Sequence, residues 1–362
     1  MWNFHNPVSI HAGAGSLRSL PAILEGRDCL LVTFPEARAL GVVDRVRGLV
    51  GERLRGVIDE VEPNPDVQWL APLYERVHAQ WANVPCLVAV GGGSVIDTAK
   101  ALMCATASGG FAELLDALAD GAALPPGLHK TLIAVPTTAG TGSEVTPWAT
   151  IWDQAAGRKH SLHQPWTWPQ AAIIDPDLML SLPASATLAS GLDALSHALE
   201  AIWNVNRNPV STTLAAGAAR RILRVLPLLM QRLGDVALRD EMAQAALMAG
   251  LAFSNTKTAL AHSLSYELTL RHGLAHGIAC SFSLPLVLKM ALGRDGETDA
   301  VLLGIFDADT GEAAVLRLRN FLHGLGVATD PADYGVSAPM WAAMVESASQ
   351  GPRGRNFIRA LA

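Results

Sequence analysis

Four short runs of apolar, β-prone residues punctuate the first half of the chain, and they leave few folds open to it. DCLLVTF at 28–34, PCLVAVGGGS at 85–94, KTLIAVPTT at 130–138 and AAIIDP at 171–176 are continuous rather than alternating, and helical stretches separate them. A strand that is apolar at nearly every position has both faces covered, which is the mark of parallel strands in βαβ units. At about Pro183 the character changes. SATLASGLDALSHALEAIW, NPVSTTLAAGAARRILRVLPLLMQRL and RDEMAQAALMAGLAF are rich in Ala and Leu, with apolar residues three and four apart, as packed amphipathic helices require. At 362 residues the chain is long for a single core. The expectation is an α/β Rossmann-like domain over 1–182 and an all-α domain over 183–362, with a ligand cleft between them.

Composition narrows the partners. The net charge of -6 has no basic block behind it, so neither a nucleic-acid footprint nor a membrane-surface patch is expected. No apolar run reaches the roughly 18 residues of a membrane span. Small-molecule chemistry is the better expectation. The start, MWNFHNPVSIHAGAGSL, lacks the charged and apolar regions of a secretory signal, and Cys29, Cys86, Cys104 and Cys280 are scattered with no CxxC pair. That pattern fits free buried thiols in a reducing, cytoplasmic setting. Internal repeats and low-complexity tracts are absent.

Two loops read as nucleotide-binding. LVAVGGGSVIDTAKAL runs a buried strand through three glycines into a helix, where backbone N–H groups favour a pyrophosphate. Gly91, Gly92, Gly93 and Ser94 are the candidates. A tight turn without a ligand would look the same, and GxGxxG is not matched. The second loop, PTTAGTGSEVT at 136–146, also follows an apolar strand and offers threonines and a serine suited to ribose hydroxyls and a carboxamide. Loops that follow parallel strands face one edge of the sheet, where nucleotides bind.

Metal chemistry is suggested further on. In GLDALSHALE, Asp193 and His197 are four residues apart and share a helix face, as two ligands of one ion or as a surface salt bridge. AHSLSYELTLRHGLAHG crowds His262, His272 and His276 into one stretch of a chain with 11 histidines. A neutral core histidine is the plain reading of His262, and His276 sits at a loop-to-helix entry. One carboxylate and three imidazoles form a mixed N/O set suited to Fe(II) or Zn(II), with positions left for a substrate oxygen.

With these motifs in view, the chain resembles the iron-dependent (type III) alcohol dehydrogenases, whose fold is shared with dehydroquinate synthase and glycerol dehydrogenase. The matching segments are FHNPVSIHAGAGSL, EPNP at 62–65, GGGSVIDTAK, PTTAGTGSEVT, Lys159 ten residues before Pro169, IIDP, SGLDALSHALE and the His262 to His276 interval. They run in family order from residue 4 to about 290. The resemblance implies an N-terminal dinucleotide-binding domain and a helical metal-binding and catalytic domain, with Asp193, His197, His262 and His276 holding the metal. It implies cofactor contacts from Asn64, Gly92, Gly93, Ser94, Thr137, Thr138, Thr141, Ser143 and Lys159. The activity implied is reduction of an aldehyde or ketone, or oxidation of the matching alcohol, with NAD(P)H. The metal would act as a Lewis acid on the substrate oxygen.

Two positions depart from the family pattern. Tyr266 stands where many members keep a further histidine, and Thr33-Phe34 where many have Thr-Asp. An acidic residue there would bond the adenosine ribose and repel a 2′-phosphate, so its loss admits NADPH, while Glu36 nearby suits NADH. Tyr266 and His272 are the candidates for proton delivery.

A narrower resemblance, to the phosphonoacetaldehyde reductase branch, rests on AHSLSYELTLRHGLAHGIACSFSLP, TPWATIWD and the GRNFIRAL ending. It implies a small anionic aldehyde, phosphonoacetaldehyde, reduced to 2-hydroxyethylphosphonate. Arg271, His272, Lys159, His160 and His163 are candidate contacts for the phosphonate, a solvated Arg271–His272 loop being the alternative; Trp166 and Trp168 are candidate walls. Lactaldehyde, a semialdehyde or maleylacetate would suit the same chemistry. A dehydroquinate synthase-like lyase and a silent nucleotide-binding regulator are the rival classes, and a homodimer is expected.

Overall fold

The structure, a computed structural model, describes residues 1–124 and 129–358. Arg359, Ala360 and Leu361 of the GRNFIRAL match therefore lie outside the described residues. Contacts divide the chain into two compact units: one of Pro7–Thr138 and Ser143–Ser181, the other of Met1–Asn6, Ala139–Gly142 and Leu182–Ala362. The Met1–Asn6 and Ala139–Gly142 pieces distinguish this division from a single cut near residue 182. The loop 136–146 is shared, its Ala139–Gly142 portion belonging to the helical unit.

The first unit holds strands β1 Ser9–Ala12, β2 Cys29–Val32, β3 Leu54–Ile58, β4 Cys86–Gly91, β5 Thr131–Pro136, β6 Trp148–Asp153, β7 Arg158–His163 and β8 Ala171–Ile174. Six form a parallel sheet in the order β1-β8-β5-β4-β2-β3, and β6 pairs with β7 in an antiparallel hairpin. Its helices are α1 Leu20–Leu24, α2 Val42–Val50, α3 Val67–Gln80, α4 Gly93–Met103 and α5 Phe111–Asp120. The continuous apolar runs are explained by two cores. Leu30, Val32, Leu87, Ala89, Leu132 and Ala134 pack with α3, α4 and α5, while Cys29, Leu31, Val88, Val90, Ile133 and Val135 pack with α1 and α2. Successive strand residues thus alternate between two buried faces.

The strand order changes direction between β2 and β4, so a crevice is expected outside their carboxyl ends. Thr33 locks those ends together, its Oγ1 donating to the Val90 carbonyl at 2.7 Å. The helix-forming GGGSVIDTAKAL segment begins at this point, with Gly92 as N-cap of α4.

The second unit is built on α6 Ala184–Ile202, α7 Pro209–Gln231, α8 Val236–Thr256, α9 Leu260–His272 and α10 His276–Ser281, followed by α11 Leu284–Ala291, α12 Gly296–Phe306, α13 Gly311–Gly324 and α14 Ala338–Gln350. The first three pack on one another along their Ala-rich faces, which let backbones approach closely. Asn208 starts α7 with a capping box: its side chain accepts from the Ser211 N–H while the Ser211 hydroxyl accepts from the Asn208 N–H. Buried Arg239 ties α8 to the entry of α6 through Thr187 Oγ1 and the Leu182 carbonyl. Among the described residues no helix is long and apolar enough to cross a membrane.

Candidate functional site

The metal ligands expected from sequence converge. On α6, Asp193 and His197 project from one face one turn apart, and Asp193 Oδ1 lies 3.9 Å from His197 Nε2. The same oxygen is 3.4 Å from His262 Nε2 on α9 and 3.8 Å from His276 Nε2 at the start of α10. The His262 ring stacks on His197, with centroids 4.5 Å apart, and His197 stacks in turn on Phe253. Asp193, His197 and His262 are buried, whereas the His276 side chain is 37% exposed, so the cluster opens on the His276 side.

Why α10 reaches α6 is legible in one glycine. A Cβ at Gly277 would fall onto the Ala189 carbonyl oxygen of α6, so only glycine allows the approach that brings His276 to Asp193.

Two further residues complete the cluster, and sequence reading passed over both. Glu200, on the same face of α6, is fully buried. Its carboxylate accepts from the N–H groups of Ala259, Ala261 and His262 and faces His262 Nδ1 at 2.7 Å. The His262 proton accordingly belongs on Nδ1, and Nε2 turns its lone pair towards Asp193. Cys280, four residues after His276 on α10, brings Sγ to 3.6 Å from His276 Nε2. The i, i+4 spacing from His276 to Cys280 and the i, i+4, i+7 spacing of Asp193, His197 and Glu200 were the available signals, but a Glu or a Cys on a helix face is ordinary until the fold supplies its neighbours.

Buried polar atoms show that this cluster suits an ion. Among the described residues, Asp193 Oδ1 and His262 Nε2 are buried side-chain atoms with no hydrogen-bond partner, a costly condition that a cation between them would relieve. The donors are one carboxylate and imidazoles, the set that Fe(II) and Zn(II) accept. Burial opposes the Asp193 charge, but the His197, His262 and His276 imidazoles hold its carboxyl below the usual carboxylate range. Burial pushes His197 down to about 4, favouring the neutral ligand form. Burial alone would raise the Cys280 thiol; His262 and His276 reverse that and bring it to about 7.

In the sheet unit, the cofactor candidates gather around the start of α4. Asn64, held at φ 59°, donates its backbone N–H to Ser94 Oγ at 3.0 Å. A Cβ on Gly92 would stand 3.3 Å from Thr138 Cγ2, so the two glycine- and threonine-bearing loops lie against one another. Thr137 is buried and its N–H donates to the Gly91 carbonyl. Backbone amides at the N-terminus of α4, free of any capping side chain, are suited to an anion. Ser143 is 5% exposed, its Oγ donating to Asp97 Oδ1 at 2.7 Å and accepting from Lys100 Nζ at 2.9 Å, so it braces the loop internally. Thr141 is half-buried in the portion of that loop belonging to the helical unit, where Gly140 and Gly142 are required by the close approach of Ser190 and Gly250. These glycines serve packing.

The expected substrate contacts fall in different surroundings. Arg271 and His272 do not form a loop: they end α9, because the helix runs on until Gly273 caps it in the left-handed conformation. Arg271 is exposed and pairs with Glu267 at 2.7 Å. His272 is half-buried. On β7, Lys159 lies 6.0 Å from the Trp152 ring and His163 stacks on Trp148, while His160, on the opposite face, is buried 3.8 Å from Asp153. Trp166 stacks on His129, and Trp168 is half-buried. One turn beyond His262, the Tyr266 ring is covered by the Arg353 guanidinium at 4.8 Å, and burial pushes its phenol up to about 12.

Oxygen and nitrogen donors suited to an ion, in a chain that also builds a dinucleotide-type sheet, are the combination expected of a metal-dependent, nucleotide-using enzyme. The chain belongs to the iron-containing alcohol dehydrogenase family, whose model matches residues 7–176 and whose C-terminal model matches residues 187–360. It is 32% identical to the NAD-dependent methanol dehydrogenase of Bacillus methanolicus over 93% of this chain and 90% of that protein. It is 38% identical to the phosphonoacetaldehyde reductase of Streptomyces viridochromogenes over 64% of this chain and 59% of that protein. The structure of sulfoacetaldehyde reductase from Bifidobacterium kashiwanohense in complex with NAD+ superposes with a TM-score of 0.91 at 29% identity, covering 100% of this chain and 96% of that one. The protein is an iron-type, nicotinamide-linked alcohol dehydrogenase or aldehyde reductase.

Proposed function

We propose that the enzyme reduces a small anionic aldehyde with NADH or NADPH, phosphonoacetaldehyde to 2-hydroxyethylphosphonate being the favoured reaction. The observation that carries the chemistry is the Asp193–His197–His262–His276 cluster, open only at His276, with its unpartnered Asp193 Oδ1 and His262 Nε2. These four residues would hold the ion, read as Fe(II) with Zn(II) as the alternative. When bound, the metal polarises the carbonyl oxygen and the nicotinamide supplies the hydride. Glu200 keeps the His262 ring in its tautomer and orientation. Tyr266, one turn beyond His262, and His272, at the end of the same helix, are read as the residues that deliver the proton.

The substrate reading is supported by two relatives, one named for phosphonoacetaldehyde and one for sulfoacetaldehyde, both aldehydes with an anionic group. Arg271 suits such a group: its exposed pair with Glu267 is worth about 0–1 kcal/mol, so a dianionic phosphonate competes readily for the guanidinium. Lys159 is read as a ribose contact, with His163 on the same face of β7. For the nicotinamide, uncharged Phe34 replaces an acidic residue after β2, and nearby Arg38 pairs with Asp59, which leaves either form admissible. The assembly is read as a homodimer.

The test is a panel of phosphonoacetaldehyde, lactaldehyde, succinic semialdehyde and maleylacetate with Fe(II)-reconstituted enzyme, under both nicotinamides. Phosphonoacetaldehyde is expected to have the highest kcat/KM; a clear preference for an uncharged aldehyde discards the substrate reading. His262→Ala is expected to lose metal content and turnover together, and full activity in a metal-free variant would overturn the metal reading.

A further inference from the structure

We infer that Cys280 is a metal donor, making the centre a mixed N/O/S site. The inference rests on the four-ligand reading above and adds to it. One donor atom each from Asp193, His262, His276 and Cys280 lie within 4.8 Å of one another. Donors at the ordinary 2.0–2.3 Å from a tetrahedral ion stand about 3.3–3.8 Å apart. Three edges of this set already have that length: Asp193 Oδ1 to His262 Nε2 at 3.4 Å, Asp193 Oδ1 to His276 Nε2 at 3.8 Å, and His276 Nε2 to Cys280 Sγ at 3.6 Å. The thiol thus stands at ligand-to-ligand distance from His276 Nε2 and within 4.8 Å of the other two donor atoms, as a further ligand would. His197 stands 3.9 Å from Asp193 Oδ1, a comparable distance from one member of the set.

The second observation is independent of the cysteine. Asp193 Oδ1 and His262 Nε2, 3% and 4% exposed as residues, are the buried unpartnered atoms that share this set with Sγ. The bond forms as the thiol proton leaves to solvent, and it adds a soft donor to a centre otherwise built of oxygen and nitrogen. Sulfur favours Zn(II) and Co(II) over Fe(II) relative to an N/O set, so Cys280 tunes which metal the chain retains. It also occupies a coordination position that a substrate oxygen must share or displace.

Cobalt substitution tests this without reference to turnover. Co(II) added to the metal-free full chain is expected to show visible d–d bands together with a near-ultraviolet thiolate-to-cobalt charge-transfer band. Cys280→Ser and Cys280→Ala are expected to keep the d–d bands and lose the charge-transfer band. Their Zn(II) affinity should fall by more than the roughly 10- to 100-fold that loss of an outer-shell partner costs. A wild-type spectrum with d–d bands and no charge-transfer band overturns the inference while leaving the four-ligand centre intact. Absence of d–d bands overturns the metal reading beneath it. Far-ultraviolet circular dichroism of both variants separates a lost ligand from a lost fold, and if both unfold, the wild-type spectrum alone decides.

Discussion

Glu200 illustrates how a residue outside the proposed ligand set governs the chemistry of one within it. Its carboxyl is fully buried, and burial would raise it, yet neighbouring His262 and the backbone N–H groups it accepts from hold it below the usual carboxylate range. Glu200→Gln would retain an oxygen for His262 Nδ1–H but turn an NH2 group towards the Ala259, Ala261 or His262 N–H, setting donor against donor. The expected result is a 10- to 100-fold loss of metal affinity in chelator competition with the fold retained; unchanged affinity would show that His262 is oriented by packing alone. At this scale legibility is uneven. Asp193 and His197 could be paired from helix periodicity, and His262 and His276 stood out because histidines are scarce. Glu200 and Cys280 carried no such signal, since their roles depend on the backbone of α9 and on His276 Nε2, contacts that arise only in the folded chain.

Elements succeed or fail at single close approaches. Because Gly277 lies against a backbone carbonyl, which cannot swing aside as a side chain would, Gly277→Ala must push α10 away from α6. Overpacking of this kind costs about 1–3 kcal/mol, and the displacement takes His276 with it, so urea unfolding and metal titration should both report the change. Equal stability and equal affinity would mean that α10 is not held by this contact. The strap between α4 and the second nucleotide loop makes a different prediction. Lys100 is fully buried and donates to Ser143 O, Ser143 Oγ and Trp148 O, with Asp97 and Glu144 as its charged neighbours. Burial raises Glu144 to about 7, above its ordinary 4.5, so the folded state binds its proton more tightly than the unfolded state. Its contribution is then fully present below about pH 4.5 and is lost as pH rises through 7, with a slope of at most about 1.4 kcal/mol per pH unit. Lys100, lowered to about 8 by burial, titrates above that window. Subtracting the Glu144→Gln stability curve from wild type between pH 5 and 7 cancels the similarly raised Asp97 and should leave a decline with pH; parallel curves would refute it.

At the scale of the molecule, the four apolar runs predict β2, β4, β5 and β8, because strands buried on both faces need nothing but apolar residues. The edge strands β1 and β3 escaped notice: β1 is largely exposed, and β3 carries an arginine and a glycine. Pairing partners and surface position made them strands, not composition. The β6–β7 hairpin was likewise hidden, its alternation of buried and exposed residues on β7 covering only six positions. What the chain order does determine is where each kind of ligand is held. Asp193, His197, His262, His276, Glu200 and Cys280 all belong to the helical unit, while Asn64, Gly92, Gly93, Ser94, Thr137 and Thr138 belong to the sheet unit. Binding stabilises the states that carry the site, by about 2.7 kcal/mol at a hundredfold excess over Kd, and native-state exchange localises that gain to the segments that open together. Zn(II) or Fe(II) should therefore slow amide exchange most in α6, α9 and α10, and a nicotinamide should slow it most in α4 and the loop before it. A metal that instead protects α4 as strongly as α6, at concentrations where the nicotinamide is absent, would show that the two units open as one and would remove the basis for treating their ligands separately.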